Sequence, residues 1–293
     1  MPSAYRICVI PGDGIGKEVI PQAARALRAA AAGHGVDLEL EEQPWGSDYY
    51  LRTGRMMPPD GHEVVGAADA TLFGAVGSPE VPDSVSAWGL VLSTRQRLDL
   101  YVNLRPIRGP GRAGGNADLD LVVVRENTEG EYTGIGGRLY RGTPRETATQ
   151  VSVFTRQGIE RIVDHAFSQV RPGGLLTSVT KSNALPHTMG LAASGNLNPE
   201  RRIGIFEPVH GSAPDIAGKG VANPVGAINS AAMLLSFLGE HGAAASIERA
   251  VDGALSAGAV TPDLGGGCGT SEVGDEVVRR LRAGGAAASG VGG

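Results

Sequence analysis

Apolar positions along this chain follow two periods in alternation. Tyr5–Ile10 is a short, almost continuous apolar run, as a strand buried on both faces requires, and Pro11-Gly12-Asp13-Gly14-Ile15-Gly16 follows it as a turn. Val19, Ala23, Ala24, Leu27 and Ala30 then recur at helical spacing. Asp37–Glu42 alternates as a strand does, and Ala70–Val76 reads as a buried one. Asp120–Val124 and Leu175–Val179 are further strand candidates. Thr155 is placed to cap a helix whose apolar stripe is Ile159, Ile162, Val163, Ala166, Phe167 and Val170. Asn223-Pro224 opens another helix in the favoured cap-then-proline order, with Val225, Ile228, Ala231, Ala232 and Leu235 on its face. Ser271 to Leu281 predicts a last short helix. The Ala/Gly/Ser-rich stretch from Ala283 to Gly293 is expected to be disordered. Strands separated by helices predict an α/β protein with a largely parallel sheet, and no internal repeat is visible.

Composition narrows the picture. A chain of 293 residues can bury a substantial core, as one large domain or two modest ones. With 45 glycines and only 4% aromatic residues, that core must be aliphatic and its turns tight. The net charge of −5 is spread along the chain without any Lys/Arg-rich run, which argues against a nucleic-acid partner. An anionic ligand would need locally clustered arginines. Cys8 and Cys268 lie at opposite ends, outside any CxxC or Cys/His set, so reduced thiols are expected rather than a disulfide or a metal site. Met1–Ile10 has neither the basic leader nor the long apolar stretch of a signal peptide, and no apolar run approaches the roughly 18 residues of a membrane span. The expectation is a cytoplasmic protein without a membrane partner.

The turn Gly12-Asp13-Gly14-Ile15-Gly16 invites a dinucleotide-fingerprint reading, but its last two glycines are two apart where that fingerprint needs three. A tight strand-to-helix turn describes it better. More specific is a set of arginines: Arg95, Arg105 in Asn103-Leu104-Arg105-Pro106, and Arg125 in Val124-Arg125-Glu126-Asn127. Arg105 and Arg125 end apolar β-type runs, so both belong at strand ends. Three guanidinium forks converging on one cleft suit a dicarboxylate, because each can hold a carboxylate through two parallel hydrogen bonds.

Longer motifs surround these arginines: Arg125-Glu126-Asn127-Thr128-Glu129-Gly130-Glu131-Tyr132, Thr180-Lys181-Ser182-Asn183, and the run Phe206-Glu207-Pro208-Val209-His210-Gly211-Ser212-Ala213-Pro214-Asp215-Ile216-Ala217-Gly218-Lys219-Gly220. In order from about Tyr5 to Leu281, the chain resembles the isocitrate/isopropylmalate dehydrogenase family. Trp88-Gly89-Leu90, Gly136-Gly137-Arg138-Leu139-Tyr140-Arg141-Gly142 and Lys181-Ser182-Asn183 bring it nearest the tartrate dehydrogenase/D-malate dehydrogenase (decarboxylating) branch. The resemblance implies NAD-dependent oxidative decarboxylation of a small 2-hydroxy-dicarboxylic acid. Arg95, Arg105 and Arg125 would bind the substrate carboxylates, Tyr132 would protonate the enolate, and Lys181 would assist hydroxyl deprotonation from the partner subunit. Asn183 would sit beside the nicotinamide, and Glu207, His210, Gly211, Ser212, Ala213, Asp215 and Asn223 would line the rest of the cofactor site. Asp215 can accept hydrogen bonds from ribose hydroxyls and would repel a 2′-phosphate, which favours NAD over NADP. The apolar segment Leu90-Val91-Leu92-Ser93-Thr94 lacks the Ser-x-Asn pattern of isocitrate enzymes, leaving D-malate, tartrate or a 3-substituted malate.

The implied fold is an αβα sandwich of two domains sharing a sheet: residues 1–100 with 190–293 as the larger NAD-binding domain, and 101–189 as a smaller substrate and dimerisation domain. That second domain is shortened. Between Lys181-Ser182-Asn183 and Gly190 relatives carry several dozen more residues, which hold the aspartates for Mg2+ or Mn2+ and helices of the homodimer interface. Glu126, Glu129, Glu131, Asp118 and Asp120 are the nearest carboxylates to stand in for those aspartates, and none makes a convincing metal ligand. Two readings therefore stand beside the working dehydrogenase: an NAD- or dicarboxylate-binding regulatory subunit or pseudoenzyme, and an enzyme doing metal-independent chemistry in the same cleft.

Overall fold

The computed structural model describes residues 4–108, 120–177 and 193–289. Its framework begins with strand β1 (Tyr5–Gly12), helix α1 (Gly16–Gly33), β2 (Leu38–Glu42), α2 (Ser47–Thr53), α3 (Gly61–Ala67) and β3 (Ala70–Ala75). Short helices α4 (Asp83–Ser86) and α5 (Leu92–Arg97) follow, joined through a wide π-type turn at Ala87–Val91. Next come β4 (Val102–Arg108), β5 (Asp120–Glu126), β6 (Gly130–Leu139), β7 (Thr147–Val153) and α6 (Arg156–Ser168). The last part comprises β8 (Ala193–Asn198), β9 (Ile203–Pro208), α7 (Val225–Phe237), α8 (His241–Ser256) and α9 (Thr270–Ser289).

Seven strands form one sheet in the order β2-β1-β3-β9-β8-β4-β5, and β6 pairs only with β7 in a separate hairpin. The α/β expectation holds, with helices on both faces. The expected largely parallel sheet is instead divided: β2-β1-β3-β9 is parallel, whereas β9-β8, β8-β4 and β4-β5 are antiparallel. The cause is a short connection: β8 turns into β9 within four residues, too few for the helical crossover that a parallel neighbour needs.

Strand β1 shows how the sheet sorts its side chains. Ile7 and Val9 join α1, α7, α8 and α9 in one apolar cluster, with Val19, Leu27, Ile228, Leu235, Ile247 and Val277. Cys8 and Ile10 point the other way, against Trp45, Met56, Val65, Phe73, Leu90 and Ile205. Burial among these groups raises the Cys8 thiol to a pKa of about 12, so the thiolate is suppressed.

Local expectations fared unevenly. Thr155 caps α6, its hydroxyl accepting from the Gly158 N–H at 2.9 Å. The Asn223 side chain accepts from the Val225 N–H at 3.0 Å, so its cap serves the first residue of α7. Residues 175–177 form no strand and Leu175 is almost fully exposed; the remainder of that candidate lies outside the described residues. The final helix does not stop at Leu281 but runs to Ser289, against the expected disordered tail, because Ala at positions 283 and 286–288 favours continued helix.

The glycine turn after β1 is a backbone junction. Gly12 has φ +72°, and a Cβ there would lie 2.0 Å from the Ala75 carbonyl oxygen; at Gly14, with φ +54°, a Cβ would lie 2.0 Å from that of Ser212. Asp13 between them is buried and accepts from the Ser47 N–H at 2.7 Å, the Ser47 hydroxyl at 2.6 Å and the Gly77 N–H at 2.9 Å. One carboxylate thus ties the ends of β1 and β3 to the start of α2. Asp13→Ala is expected to lower unfolding free energy by about 3 kcal/mol, since it strands two buried donors of Ser47 and the part-buried Gly77 N–H; a urea melt of both proteins measures it.

Candidate active site

Sheet register gathers the polar residues. Directly opposed residues in an antiparallel pair share a face, as do residues two apart on one strand. Asn103 opposes Arg125 on β5 and Asn196 on β8, Asn196 opposes Ile205 on β9, and Ser194 opposes Glu207. Arg105 stands two residues beyond Asn103. Arg105, Arg125, Asn103, Asn196, Ser194 and Glu207 therefore project from one face of the sheet, the face of the Ile205 cluster. Arg95 reaches the same place from α5 and donates from Nη2 to Glu207 Oε1 at 2.6 Å.

Beneath the charges lies a set of amides with almost no exposure: Asn103, Asn127, Asn196 and the hydroxyl of Ser194. Asn196 Oδ1 accepts from Asn103 Nδ2 and Asn127 Nδ2, both at 2.9 Å, and its Nδ2 donates to Glu207 Oε1 at 2.9 Å. Asn103 also donates to the Ser194 hydroxyl at 2.8 Å, while its Oδ1 accepts from Arg105 Nε at 2.7 Å. Arg125 Nη2 donates to the Tyr132 hydroxyl at 2.7 Å, and its guanidinium carbon lies 4.8 Å from that ring's centroid. Gln96 Nε2 holds the Tyr132 carbonyl at 2.6 Å, and Trp88 packs so close to Gly134 that a Cβ there would meet the indole at 2.8 Å. The π-type turn and α5 thus fix the tyrosine segment against the arginines.

Charge does not balance here. Among the described residues three guanidinium groups face one carboxylate, which leaves two positive charges in excess. Arg105 registers the excess: burial first, then Arg125 and Arg95, lower its pKa, with Glu207 and Tyr132 opposing. Arg95 Nε is buried with no partner among the described residues. Apolar Ile10, Phe73, Leu90, Val91 and Ile205 wall the pocket into which Arg95, Asn196 and Glu207 open. A small dianion against Arg105 and Arg125 would offset the excess charge.

Glu207, expected from its motif beside the cofactor, has its carboxylate taken up by Arg95 and Asn196. The other expected cofactor residues form the loop that leaves β9 at the carboxyl edge of the parallel strands, where α/β sheets bind ligands. The Ser212 carbonyl accepts from the Ile15 N–H at 2.9 Å. The Glu18 carboxylate accepts from the Gly218 and Gly220 N–H groups at 2.6 and 3.0 Å. Gly211 and Asp215 are exposed, and Ala213 holds a strained φ of +39° just before Pro214. His210 Nδ1 lies 3.0 Å from the Gly211 carbonyl, its Nε2 is buried without a partner among the described residues, and burial lowers its pKa. Asn223 donates to Asp263 at 3.0 Å. An exposed carboxylate at Asp215, open backbone at Gly211 and an unsatisfied imidazole nitrogen fit a ribose and a base. Lys181 and Asn183 lie outside the described residues.

No comparable fit exists for a divalent cation. Among the described residues no three His, Cys, Asp or Glu side chains are grouped to hold one. Glu126 is occupied by the Thr128 N–H and hydroxyl and the Glu129 N–H, and Glu129 by the Thr155 N–H and hydroxyl. Asn103, Asn127, Asn196 and Ser194 carried no assigned role from sequence; their signal was polar side chains interrupting apolar strand patterns, as in Ala193-Ser194-Gly195-Asn196-Leu197.

The model of the isocitrate/isopropylmalate dehydrogenase family matches residues 6–189 and 184–277, two segments that meet where the sequence places the missing stretch. A probable tartrate dehydrogenase/decarboxylase of Agrobacterium vitis is 41% identical over 349 aligned positions, covering 94% of this chain and 98% of the relative. That alignment is longer than this chain, so dozens of the relative's positions have no counterpart here. The D-malate dehydrogenase (decarboxylating) of Escherichia coli is also 41% identical, covering 95% and 99%. The crystal structure of isocitrate dehydrogenase from Methylococcus capsulatus superposes with a TM-score of 0.82 at 29% identity, covering 95% of this chain and 99% of that one. The chain belongs to the isocitrate/isopropylmalate dehydrogenase family.

Proposed function

We propose that this protein is an NAD-dependent decarboxylating dehydrogenase of a small 2-hydroxy-dicarboxylic acid: D-malate, tartrate or a 3-substituted malate. The observation that carries the reading is the pair of unbalanced positive charges on the sheet face, with Tyr132 hydrogen-bonded to Arg125 inside it. The relatives named for tartrate and D-malate decarboxylation support the same chemistry.

When bound, NAD supplies the hydride acceptor, and Asp215, His210, Gly211, Ser212, Ala213 and Asn223 hold its adenosine half, with Asn183 at the nicotinamide. Arg95, Arg105 and Arg125 bind the two carboxylates and fix the hydroxyl-bearing carbon. Glu207 limits the positive charge around Arg95. Lys181 of the partner subunit takes up the hydroxyl proton as the carbon is oxidised, and the resulting β-keto acid releases CO2. Tyr132 accepts from Arg125 through its oxygen, so its own proton is free to pass to the enolate carbon. Donors for Mg2+ or Mn2+ are not assembled among the described residues.

Residues 1–100 with 190–293 form the cofactor domain in this reading, and 101–189 the substrate and dimerisation domain. Among the described residues every exposed large apolar side chain except Leu51 falls between Leu121 and Leu176, including Ile135, Leu139, Phe154, Ile159 and Phe167. A concentration of that kind marks an interface, and a second copy of the chain is the occupant proposed. A second functional reading, a ligand-binding member with impaired turnover, is favoured by the several dozen family positions that have no counterpart here.

Purified protein with D-malate or tartrate, NAD and Mn2+ is expected to form NADH; NAD and dicarboxylate binding without NADH would favour the second reading. Tyr132→Phe should lower kcat by about 10²–10⁴ with dicarboxylate affinity unchanged, as steady-state kinetics and calorimetry together reveal. Arg125→Met should weaken dicarboxylate binding by about 2 kcal/mol, roughly 30-fold. For pH, a histidine held below its ordinary 6.5 contributes stability above that value and loses it as pH falls through the folded pKa. Thermal melts from pH 8 to 5 should therefore decline. His210→Gln should remove part of that slope, the rest belonging to His62 and His165, which burial also lowers.

A further inference from the structure

We infer that Asn196 is a positioning residue that sets the separation of Arg95 and Arg105, and with it the fit of the dicarboxylate. The inference rests on the reading of this arginine cluster as the dicarboxylate site. Asn196 lies one hydrogen bond from the group that holds each arginine. Its Nδ2 donates to Glu207 Oε1 at 2.9 Å, and that same oxygen receives Arg95 Nη2 at 2.6 Å. Its Oδ1 accepts from Asn103 Nδ2 at 2.9 Å, and Asn103 Oδ1 receives Arg105 Nε at 2.7 Å. A third bond, from Asn127 Nδ2 at 2.9 Å, ties in the segment that continues to Tyr132, while Asn127 also donates to the Leu100 carbonyl at 3.2 Å.

Only an amide serves all three contacts, since one end must accept twice and the other must donate. Aspartate would keep the two accepted bonds but set an oxygen against the Glu207 carboxylate. Leucine, close in volume, would leave the buried Asn103 and Asn127 donors and one Glu207 lone pair unmatched. The residue is about 1% exposed and sits on the central row of the sheet, between Asn103 and Ile205. Buried polar networks of this kind lock rotamers only when every member is satisfied. Arginine has many rotamers, so holding two guanidinium groups at a fixed spacing needs such a support. Asn196 touches no substrate; it acts through Glu207 and Asn103.

The test uses the full chain and three variants: Asn196→Asp, the double change Asn196→Asp with Glu207→Gln, and Asn103→Ser. The double variant restores a donor facing the new carboxylate and keeps the wild-type charge. In Asn196→Asp, calorimetry should show D-malate or tartrate binding at least tenfold weaker, and the double variant should return to within about threefold of wild type. The arginine Nε–H signals in 15N NMR provide a readout without any ligand. Asn196→Asp should shift Arg95, whose Glu207 partner it repels, and leave the Arg105 Nε–H bonded to Asn103, with Arg95 recovering in the double variant. A wild-type Arg95 signal in a folded Asn196→Asp protein, or no recovery in the double variant, would overturn the inference. Should Asn196→Asp not fold, Asn103→Ser decides: movement of Arg95 together with Arg105 supports the network, while movement of Arg105 alone or of neither overturns it. If wild-type protein takes up no dicarboxylate, the proposed function fails, and the NMR result still decides the role of Asn196.

Discussion

Two positive charges in excess of the carboxylate described beside them, held on one face of a sheet, organise this molecule. Guanidinium groups repel one another, and clustering three of them against a single carboxylate costs free energy in a half-buried setting. The fold tolerates that cost by tying the cluster to a rigid base. Arg105 and Arg125 rise from paired strands, Arg95 comes from a helix anchored by its bond to Glu207, and a row of buried amides links all three supports. The antiparallel half of the sheet matters for this reason. Pairing β8 between β4 and β9 brings Asn103, Asn196 and Ile205 into one cross-strand row, and Glu207 follows two residues along.

Much of this was legible in the residues themselves. Short continuous apolar runs located β1 and β3, and the 3.6-residue period located α1, α6 and α7, because strands buried on both faces and amphipathic helices leave those imprints. The arginines and Tyr132 were legible as motif members, and they do assemble. Strand direction was not legible, since the β8–β9 turn carries no pattern that distinguishes it from a longer crossover. The role of Glu207 was obscured because its motif runs straight into the cofactor loop, and only the alternation of side chains along β9 separates the two. Asn196 was invisible because its importance lies in three partners at distant positions, and spacing along one strand does not encode them. The tail of α9 was misread because alanine-rich composition suits both a helix and a solvated chain.

The internal shortening leaves a distinct physical mark. Among the described residues, exposed Leu, Ile, Val and Phe side chains other than Leu51 fall in the span from Leu121 to Leu176, while the helices around α1 and α7 bury theirs almost completely. The half of the protein that carries the cofactor loop is therefore self-sufficient in packing, and the half that carries Arg125 and Tyr132 is not. In the proposed function, proton transfer calls on Lys181 of the partner subunit in addition to the arginine cluster, so turnover makes more demands on assembly than binding does.

Isothermal titration of the purified chain with D-malate and, separately, with D-lactate measures the dianion site without calling on NAD, a metal or turnover. Two uncompensated charges predict that D-malate binds at least tenfold more tightly than D-lactate, with the difference shrinking as salt is raised. Equal affinities, or heat from neither ligand, would contradict a site built for a small dicarboxylate.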